Sequence, residues 1–118
     1  MSSEGSVYVA DWSNHRIQKF TTEREFLNKW GTECTDDGQF QYPERLSVGP
    51  DGRVYVSDRG NSRIQKFTPE GEFVSEWGTR GTGDWQFGLP AGVAVALDGS
   101  VYIVDYVHDR IQKFAPGS

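Results

Sequence analysis

VYVSDRGNSRIQKF, residues 54–67, occurs three times in this chain with few changes. The other copies are VYVADWSNHRIQKF, from Val7, and VYIVDYVHDRIQKF, from Val101, so the copies begin 47 residues apart. A repeat of this length is one small unit that cannot bury its own hydrophobic faces, and neighbouring units must therefore stack. The repeat predicts a scaffold and says less about activity, because one scaffold hosts many activities.

Short strands separated by turn residues are predicted within each unit, which is the pattern of an all-β repeat. In the middle unit the predicted strands span 46–48, 54–58, 63–67 and 72–77, with turns at 50–52 and 69–71 and a link over 78–86. Val54 and Val56 point to one side of the second strand and Tyr55 to the other, so both faces are expected to be covered. Four antiparallel strands in tandem units predict β-propeller blades. A β-helix solenoid is the alternative, which the hairpin turns disfavour.

The repeated residues resemble those of the NHL-repeat family. They are Val-Tyr-Val-x-Asp-x-x-Asn-x-Arg-Ile-Gln-Lys-Phe, then Trp-Gly, then Pro-x-Gly-Val-Ala-Val before Asp-Gly, and the resemblance covers about residues 5–116. Arg45 departs from the pattern, since the family usually has glycine there. The resemblance implies NHL-type propeller rings, commonly of six blades. It also implies a wide choice of functions, since the family includes RNA-binding domains, sensor domains of receptor kinases and an amidating lyase.

The chain is predicted to be a single propeller fragment over 1–118. Residues 5–42 would form a partial blade without its inner strand, 43–88 a complete blade, and 89–118 a partial blade without its outer strand. Such an arc would expose apolar faces and strand edges at both ends. We therefore expect the ring to be completed by oligomerisation, most simply as a homodimer with six blades. A five-bladed ring with exchanged strands and a piece of a longer parent are the alternatives.

Composition narrows the classes of partner. The chain has 118 residues and a formal net charge of −5, which disfavours nucleic acid because its binders usually present a basic face. Cys34 is the only cysteine, so an intrachain disulfide is excluded. No apolar run approaches the length of a membrane span. The N-terminal residues lack a secretory pattern, so a cytoplasmic location is expected for the chain as it stands.

Two sets of charged residues are predicted to be structural. Each aspartate precedes a four-residue hairpin loop and each arginine follows it, so the two should pair across the hairpin. The residues are Asp11, Asp58 and Asp105 with Arg16, Arg63 and Arg110. Asn14 and Asn61 lie inside the loops and are predicted to take the positive φ of such turns.

Six other residues are predicted to bind a protein or peptide on one loop face of the propeller. Three of these residues share one register directly after the aspartate but differ in every unit, and three come from the links between units. They are Trp12, Arg59 and Tyr106, with Tyr42, Arg45 and Trp85. Aromatic and arginine side chains are those that interfaces favour.

Catalytic and metal-binding motifs are absent from the sequence. There is no HExxH, CxxC or GxSxG spacing, and His15 and His108 occupy different registers of the repeat. We therefore expect a non-enzymatic scaffold without cofactor or metal. The alternative is a ring that binds a small molecule or acts as an enzyme at its central channel. Single-stranded RNA binding is a third hypothesis.

Overall fold

The computed structural model describes residues 6–23, 25–31, 38–80, 86–88, 90–105 and 110–114, and the account below is limited to them. Unit 1 contains β1 (Val7–Asp11), β2 (Arg16–Phe20) and β3 (Phe26–Trp30). Unit 2 contains β4 (Pro43–Val48), β5 (Val54–Asp58), β6 (Arg63–Phe67) and β7 (Phe73–Trp77). Two short strands follow, β8 (Thr79–Arg80) and β9 (Gln86–Phe87). Unit 3 contains β10 (Pro90–Val95), β11 (Val101–Asp105) and β12 (Arg110–Phe114).

Each unit is an antiparallel sheet whose strands are neighbours in sequence order, with three, four and three strands in units 1, 2 and 3. The expected class, all-β with propeller-type blades of up to four antiparallel strands, is confirmed. The link expected over 78–86 contains one feature that was not predicted, because β8 and β9 pair in parallel. Within the described ranges, no helix is long and apolar enough to cross a membrane.

The repeated phrase forms the same hairpin in every unit. In unit 2, Val54 lies opposite Phe67 and Asp58 opposite Arg63, and the register is the same in the other two hairpins. The described loops of units 1 and 2 each begin with one turn of 3₁₀ helix, Trp12–Asn14 and Arg59–Asn61.

The prediction that Asn14 and Asn61 take positive φ was wrong. The positive φ falls one residue later, at His15 (55°) and Ser62 (52°). The reason is that each asparagine closes the 3₁₀ turn, so the chain reverses only at the residue that follows. From within that turn the asparagine amide donates to the carboxylate of the preceding aspartate, at 3.0 Å for Asn61 Nδ2 and Asp58 Oδ2.

Two apolar clusters fill the spaces between the units. The cluster between units 1 and 2 has the buried residues Tyr8, Ile17, Phe40, Val54, Val56 and Phe67. The cluster between units 2 and 3 has Tyr55, Ile64, Val101, Ile103 and Phe114. Val54 and Val56 thus face unit 1 while Tyr55 faces unit 3, which confirms the alternation expected for a sheet covered on both faces.

Phe40 connects the first link to this packing. Its ring is fully buried, lies 5.5 Å from the Phe67 ring centroid, and packs over Gly31 at the end of unit 1. A Cβ on Gly31 would come within 2.6 Å of the Phe40 ring, and Gly31 has a φ of +110°. A side chain there would therefore push the link away from unit 1.

Truncating Phe67 is expected to lower the free energy of unfolding by about 3–5 kcal/mol, because loss of a buried aromatic ring leaves a cavity. Its ring also contacts Trp30 and Phe73 at centroid distances of 5.6 and 6.1 Å. Phe26→Ala is the matched control, since Phe26 is 55% exposed, and it is expected to cost less than about 1 kcal/mol. Urea unfolding followed by circular dichroism measures both variants. Equal losses would show that the space between units 1 and 2 is not the core.

Candidate functional site

A buried polar cluster lies at the loop end of unit 2, and we name Asp58, Asn61, Arg63 and Gln65 its linker-binding cluster. Asp58 is fully buried. Its Oδ2 accepts hydrogen bonds from Arg63 Nε at 2.8 Å, Asn61 Nδ2 at 3.0 Å and Gln65 Nε2 at 3.2 Å. The charge of the buried carboxylate is thus balanced by a guanidinium in contact, which is the condition under which a buried charge is tolerated.

The linker-binding cluster of unit 2 holds the backbone of residues 38–41, which we name linker 1. Asp58 Oδ1 accepts the Gln41 N–H at 2.7 Å, and Gln65 Oε1 accepts the Gly38 N–H at 2.9 Å. Arg63 Nη2 and Gln65 Nε2 donate to the Gln39 carbonyl at 2.6 and 2.7 Å. The side chains of the cluster therefore bind both N–H and carbonyl groups of the main chain, and they fix the path by which the chain enters β4.

Unit 3 holds residues 86–88, which we name linker 2, in a related way. The Gly88 N–H donates to the Asp105 carboxylate at 3.2 Å, and Arg110 Nε donates to the same carboxylate at 3.4 Å. From the preceding unit, Ser62 Oγ donates to the Gly88 carbonyl at 2.9 Å. Linker 2 is thus held between the loop of unit 2 and the aspartate of unit 3.

The corresponding cluster of unit 1 has the same side chains but is more exposed. Asp11 Oδ2 accepts from Arg16 Nε at 2.9 Å and from Asn14 and Gln18 at 3.1 Å each. The exposed fractions are 20% for the Asp11 side chain and 32% for Arg16, against 0% and 6% for Asp58 and Arg63. The hydrogen bond from Asn14, with those from Arg16 and Gln18, holds the pKa of Asp11 below its ordinary value of 3.8.

The residues predicted to form a binding face are only partly within the described chain. Arg59 is half-buried, with Nε 3.8 Å from Glu44 Oε2. Arg45 is exposed, and its N–H donates to Ser57 Oγ. Tyr42 is 39% exposed. For Trp12 the structure describes the backbone alone, in the 3₁₀ turn, and Tyr106 and Trp85 lie outside the described residues.

Two contributors to these sites were not predicted. His15 contacts Tyr42, with ring centroids 4.6 Å apart, and its Nδ1 accepts the Tyr42 N–H at 3.0 Å. The second contributor is Gln65, which holds linker 1 at both a carbonyl and an N–H. A signal for it existed, because a glutamine stands at this position in all three copies, at Gln18, Gln65 and Gln112.

The fold defines the class of this protein when it is compared with solved structures. A structural genomics protein of unknown function from Bacteroides thetaiotaomicron has a TM-score of 0.81 at 19% identity, over 95% of this chain and 32% of that one. An auxiliary nutrient binding protein from the same organism has 0.72 at 20%, over 94% and 35%. Virginiamycin B lyase from Staphylococcus aureus has 0.69 at 17%, over 99% and 40%. These are β-propeller proteins, the chain spans about a third to two fifths of their length, and at such identities the likeness shows the fold alone.

The repeats themselves can be named more narrowly. The NHL-repeat family model matches residues 1–20 and 40–67. Residues 1–20 and 40–67 therefore match NHL repeats, as the resemblance of the repeated phrase indicated, and these residues include β1, β2 and β4 to β6. No curated protein matches the sequence.

Asp58→Ala is expected to destabilise the protein by about 3 kcal/mol, because it leaves the buried Arg63 guanidinium short of one counter-charge and the Gln41 N–H without its acceptor. Asp11→Ala is the matched control at the same position of unit 1, where exposure makes the expected loss about 1 kcal/mol. Thermal and urea unfolding of both variants measure the difference. A loss in Asp11→Ala as large as that in Asp58→Ala would contradict a role for linker burial.

Asn14→Ala is expected to raise the pKa of Asp11 towards 3.8, because it removes the principal hydrogen bond to the carboxylate. In the unaltered protein, stabilisation by ionised Asp11 is present above pH 3.8 and is lost as the pH falls through the lowered pKa. NMR titration of the Asp11 carboxyl carbon measures the change. Asn28→Ala, whose amide donates to the Glu70 carbonyl instead, should leave the Asp11 pKa where it is. An unchanged Asp11 pKa in Asn14→Ala would refute the assignment.

Proposed function

We propose that this NHL-repeat chain associates with a second copy of itself, head to tail, to complete a propeller ring that serves as a non-enzymatic, protein-binding scaffold. The observation that carries the proposal is that each of its two uncovered sheet faces is a copy of a face that is buried inside the chain.

The uncovered face of unit 1 carries Val7, Val9 and Phe20. These residues stand 47 positions before Val54, Val56 and Phe67, the residues of unit 2 that pack against unit 1. Val9 is 43% exposed, whereas Val56 is fully buried. The face therefore has the composition of an interface without a neighbour.

The uncovered face of unit 3 carries Tyr102, Val104 and Ile111. Tyr102 and Ile111 stand 47 positions after Tyr55 and Ile64, the residues of unit 2 that pack against unit 3. Ile111 is 67% exposed, whereas Ile64 is fully buried. A pocket of about 460 Å³ opens on this face, with Leu46 of unit 2 and Val93 also in its wall.

The two faces complement each other in the way that neighbouring units do. Unit 3 of one copy presents Tyr102 and Ile111, the counterparts of the residues that unit 2 packs against unit 3. Unit 1 of the next copy presents Val7, Val9 and Phe20, the counterparts of the residues that unit 2 packs against unit 1. Such a head-to-tail contact joins different surfaces on the two copies, and it closes into a ring when the rotation per copy divides the circle. A homodimer satisfies this condition with the fewest copies.

The loop face supplies the proposed binding surface. Tyr42 and Arg45 are exposed there and Arg59 is half-buried, and arginine and tyrosine are enriched where proteins bind proteins. We assign binding and not catalysis to the repeats because Asp58, which is fully buried, is engaged by four hydrogen-bond donors. A buried carboxylate so engaged serves as a structural anchor.

Ile111→Lys is expected to convert the dimer to a monomer, because it places a charge where an apolar side chain would be buried, and the dissociation constant should rise at least tenfold. Size exclusion with light scattering measures the mass, which should be twice 13.3 kDa for the unaltered chain. Leu97→Lys is the matched control, since Leu97 is 96% exposed on a turn, and it should remain a dimer. A monodisperse monomer of the unaltered chain across the micromolar range would overturn the proposal.

A further inference from the structure

The described chain contains three hairpins of one design but only two linkers. Linker 1 lies on the cluster of unit 2, and linker 2 lies against Asp105 of unit 3. The cluster of unit 1 has no such segment against it among the described residues, although Asp11, Arg16 and Gln18 repeat the side chains that hold linker 1. The site whose copy in unit 2 binds an extended segment is thus partly exposed in unit 1, at 20% for the Asp11 side chain and 32% for Arg16.

The polar half of the unit 1 site has the same arginine and glutamine side chains that bind the backbone of linker 1 in unit 2. In unit 2 one arginine reaches both Glu76 and the Gln39 carbonyl through its Nη atoms, at 2.9 and 2.6 Å. In unit 1, Arg16 contacts Asp11 through Nε, and its Nη atoms have no partner among the described residues. A pocket of about 710 Å³ opens beside it, with Asn14 and Arg16 in its lining.

The apolar half lies next to it on the same hairpin. In linker 1 the Phe40 ring is fully buried against Phe67. The counterpart of Phe67 in unit 1 is Phe20, which lines a pocket of about 360 Å³ with Val7 and Val9. The distance along the hairpin between the polar and apolar halves is the same in both units, because their strand registers are identical.

One difference between the units predicts which sequence fits. Gly60 lies against linker 1, and a Cβ on it would come within 2.6 Å of the Gln41 carbonyl and 2.8 Å of its side chain. Unit 1 has Ser13 at this position, so the carbonyl of any residue at the place of Gln41 must shift there, and a side chain at that place would meet the Ser13 Cβ as well. Linker 2 has Gly88 at that place, which removes the second contact. The unit 1 site therefore favours a segment of the linker 2 type over one of the linker 1 type.

We propose that the cluster of unit 1 is a peptide-binding site for an extended segment of another polypeptide with the pattern Gln-Phe-Gly. The Gly N–H would donate to Asp11, the Gln carbonyl would accept from Arg16 and Gln18, and the Phe ring would enter the pocket lined by Phe20. Peptide binding at this site is a function beyond formation of the proposed ring. A bound peptide and a second copy could share the face of unit 1, because Phe40 and unit 1 together cover the corresponding face of unit 2.

The test uses the full chain and an acetylated, amidated peptide WQFGLP, which is residues 85–90 of this sequence. Calorimetric titration should show saturable binding of one peptide per chain, and NMR should place the shifts at Ser13, Arg16 and Gln18. Asp11→Asn should weaken binding at least tenfold. Asp51→Asn is the control, because it removes one charge from the turn at the other end of a sheet, and it should bind as the unaltered chain does.

Changes in the peptide keep the test independent of protein folding. Replacing its glycine by N-methylglycine removes the N–H, and replacing its phenylalanine by alanine removes the ring, so each should weaken binding at least tenfold. A peptide with glutamine in place of glycine should bind poorly to the unaltered chain and recover with Ser13→Gly. Absence of saturable binding, or equal binding of the N-methylated peptide, overturns the site.

Discussion

Both faces of each sheet in this protein are apolar, and the need to cover both of them decides how the units are arranged. The isoleucine of the repeated phrase shows this directly. Ile17 and Ile64 are fully buried, whereas Ile111, at the same place in the same hairpin, is 67% exposed. The strand register is the same in the three hairpins, so the burial of this residue depends on the neighbouring sheet and not on the sheet that carries it. Stacking therefore supplies apolar burial that pairing within one sheet cannot supply.

Hydrogen bonds determine the spacing of the stack. An apolar face alone would allow neighbouring sheets to slide, because hydrophobic burial is non-directional. The aspartate, arginine and glutamine of the repeat add direction, since Asp58, Arg63 and Gln65 hold the main chain of linker 1 by several short bonds. The same side chains thus complete the hairpin of one unit and position the chain that arrives from the unit before it.

Much of the fold could be predicted from the sequence because the repeat samples one structure three times. The strands of the hairpin and the two-sided burial of Val56 and Tyr55 follow from strand alternation. The pairing of Asp58 with Arg63 follows from their positions on either side of a short loop. The place of the positive φ at Ser62 could not be predicted, because it depends on whether the loop starts as a 3₁₀ turn. The role of Gln65 could not be predicted from the identity of its partners either, because they are backbone groups, which every residue carries.

Some features of the candidate sites could likewise be predicted from the sequence, and others could not. The charged pairs could be predicted from the sequence, whereas the contact between His15 and Tyr42 could not, because the two residues are 27 positions apart, one in the hairpin loop of unit 1 and the other directly before β4 of unit 2. The open cluster of unit 1 also has no signature of its own. Asp11 and Arg16 are of the same residue types as Asp58 and Arg63, and it is the exposure of these side chains that distinguishes the pair in unit 1 from the pair in unit 2.

Amide hydrogen exchange tests most directly the claim that each sheet depends on its neighbours. At the lowest protein concentration, amides of β5 and β6 should exchange only through global unfolding, while those of β1, β2, β11 and β12 exchange faster. Protection of these outer strands should rise with protein concentration as a second copy covers them, and that of β5 and β6 should stay constant. Outer strands as protected as β5 in dilute solution would contradict the account.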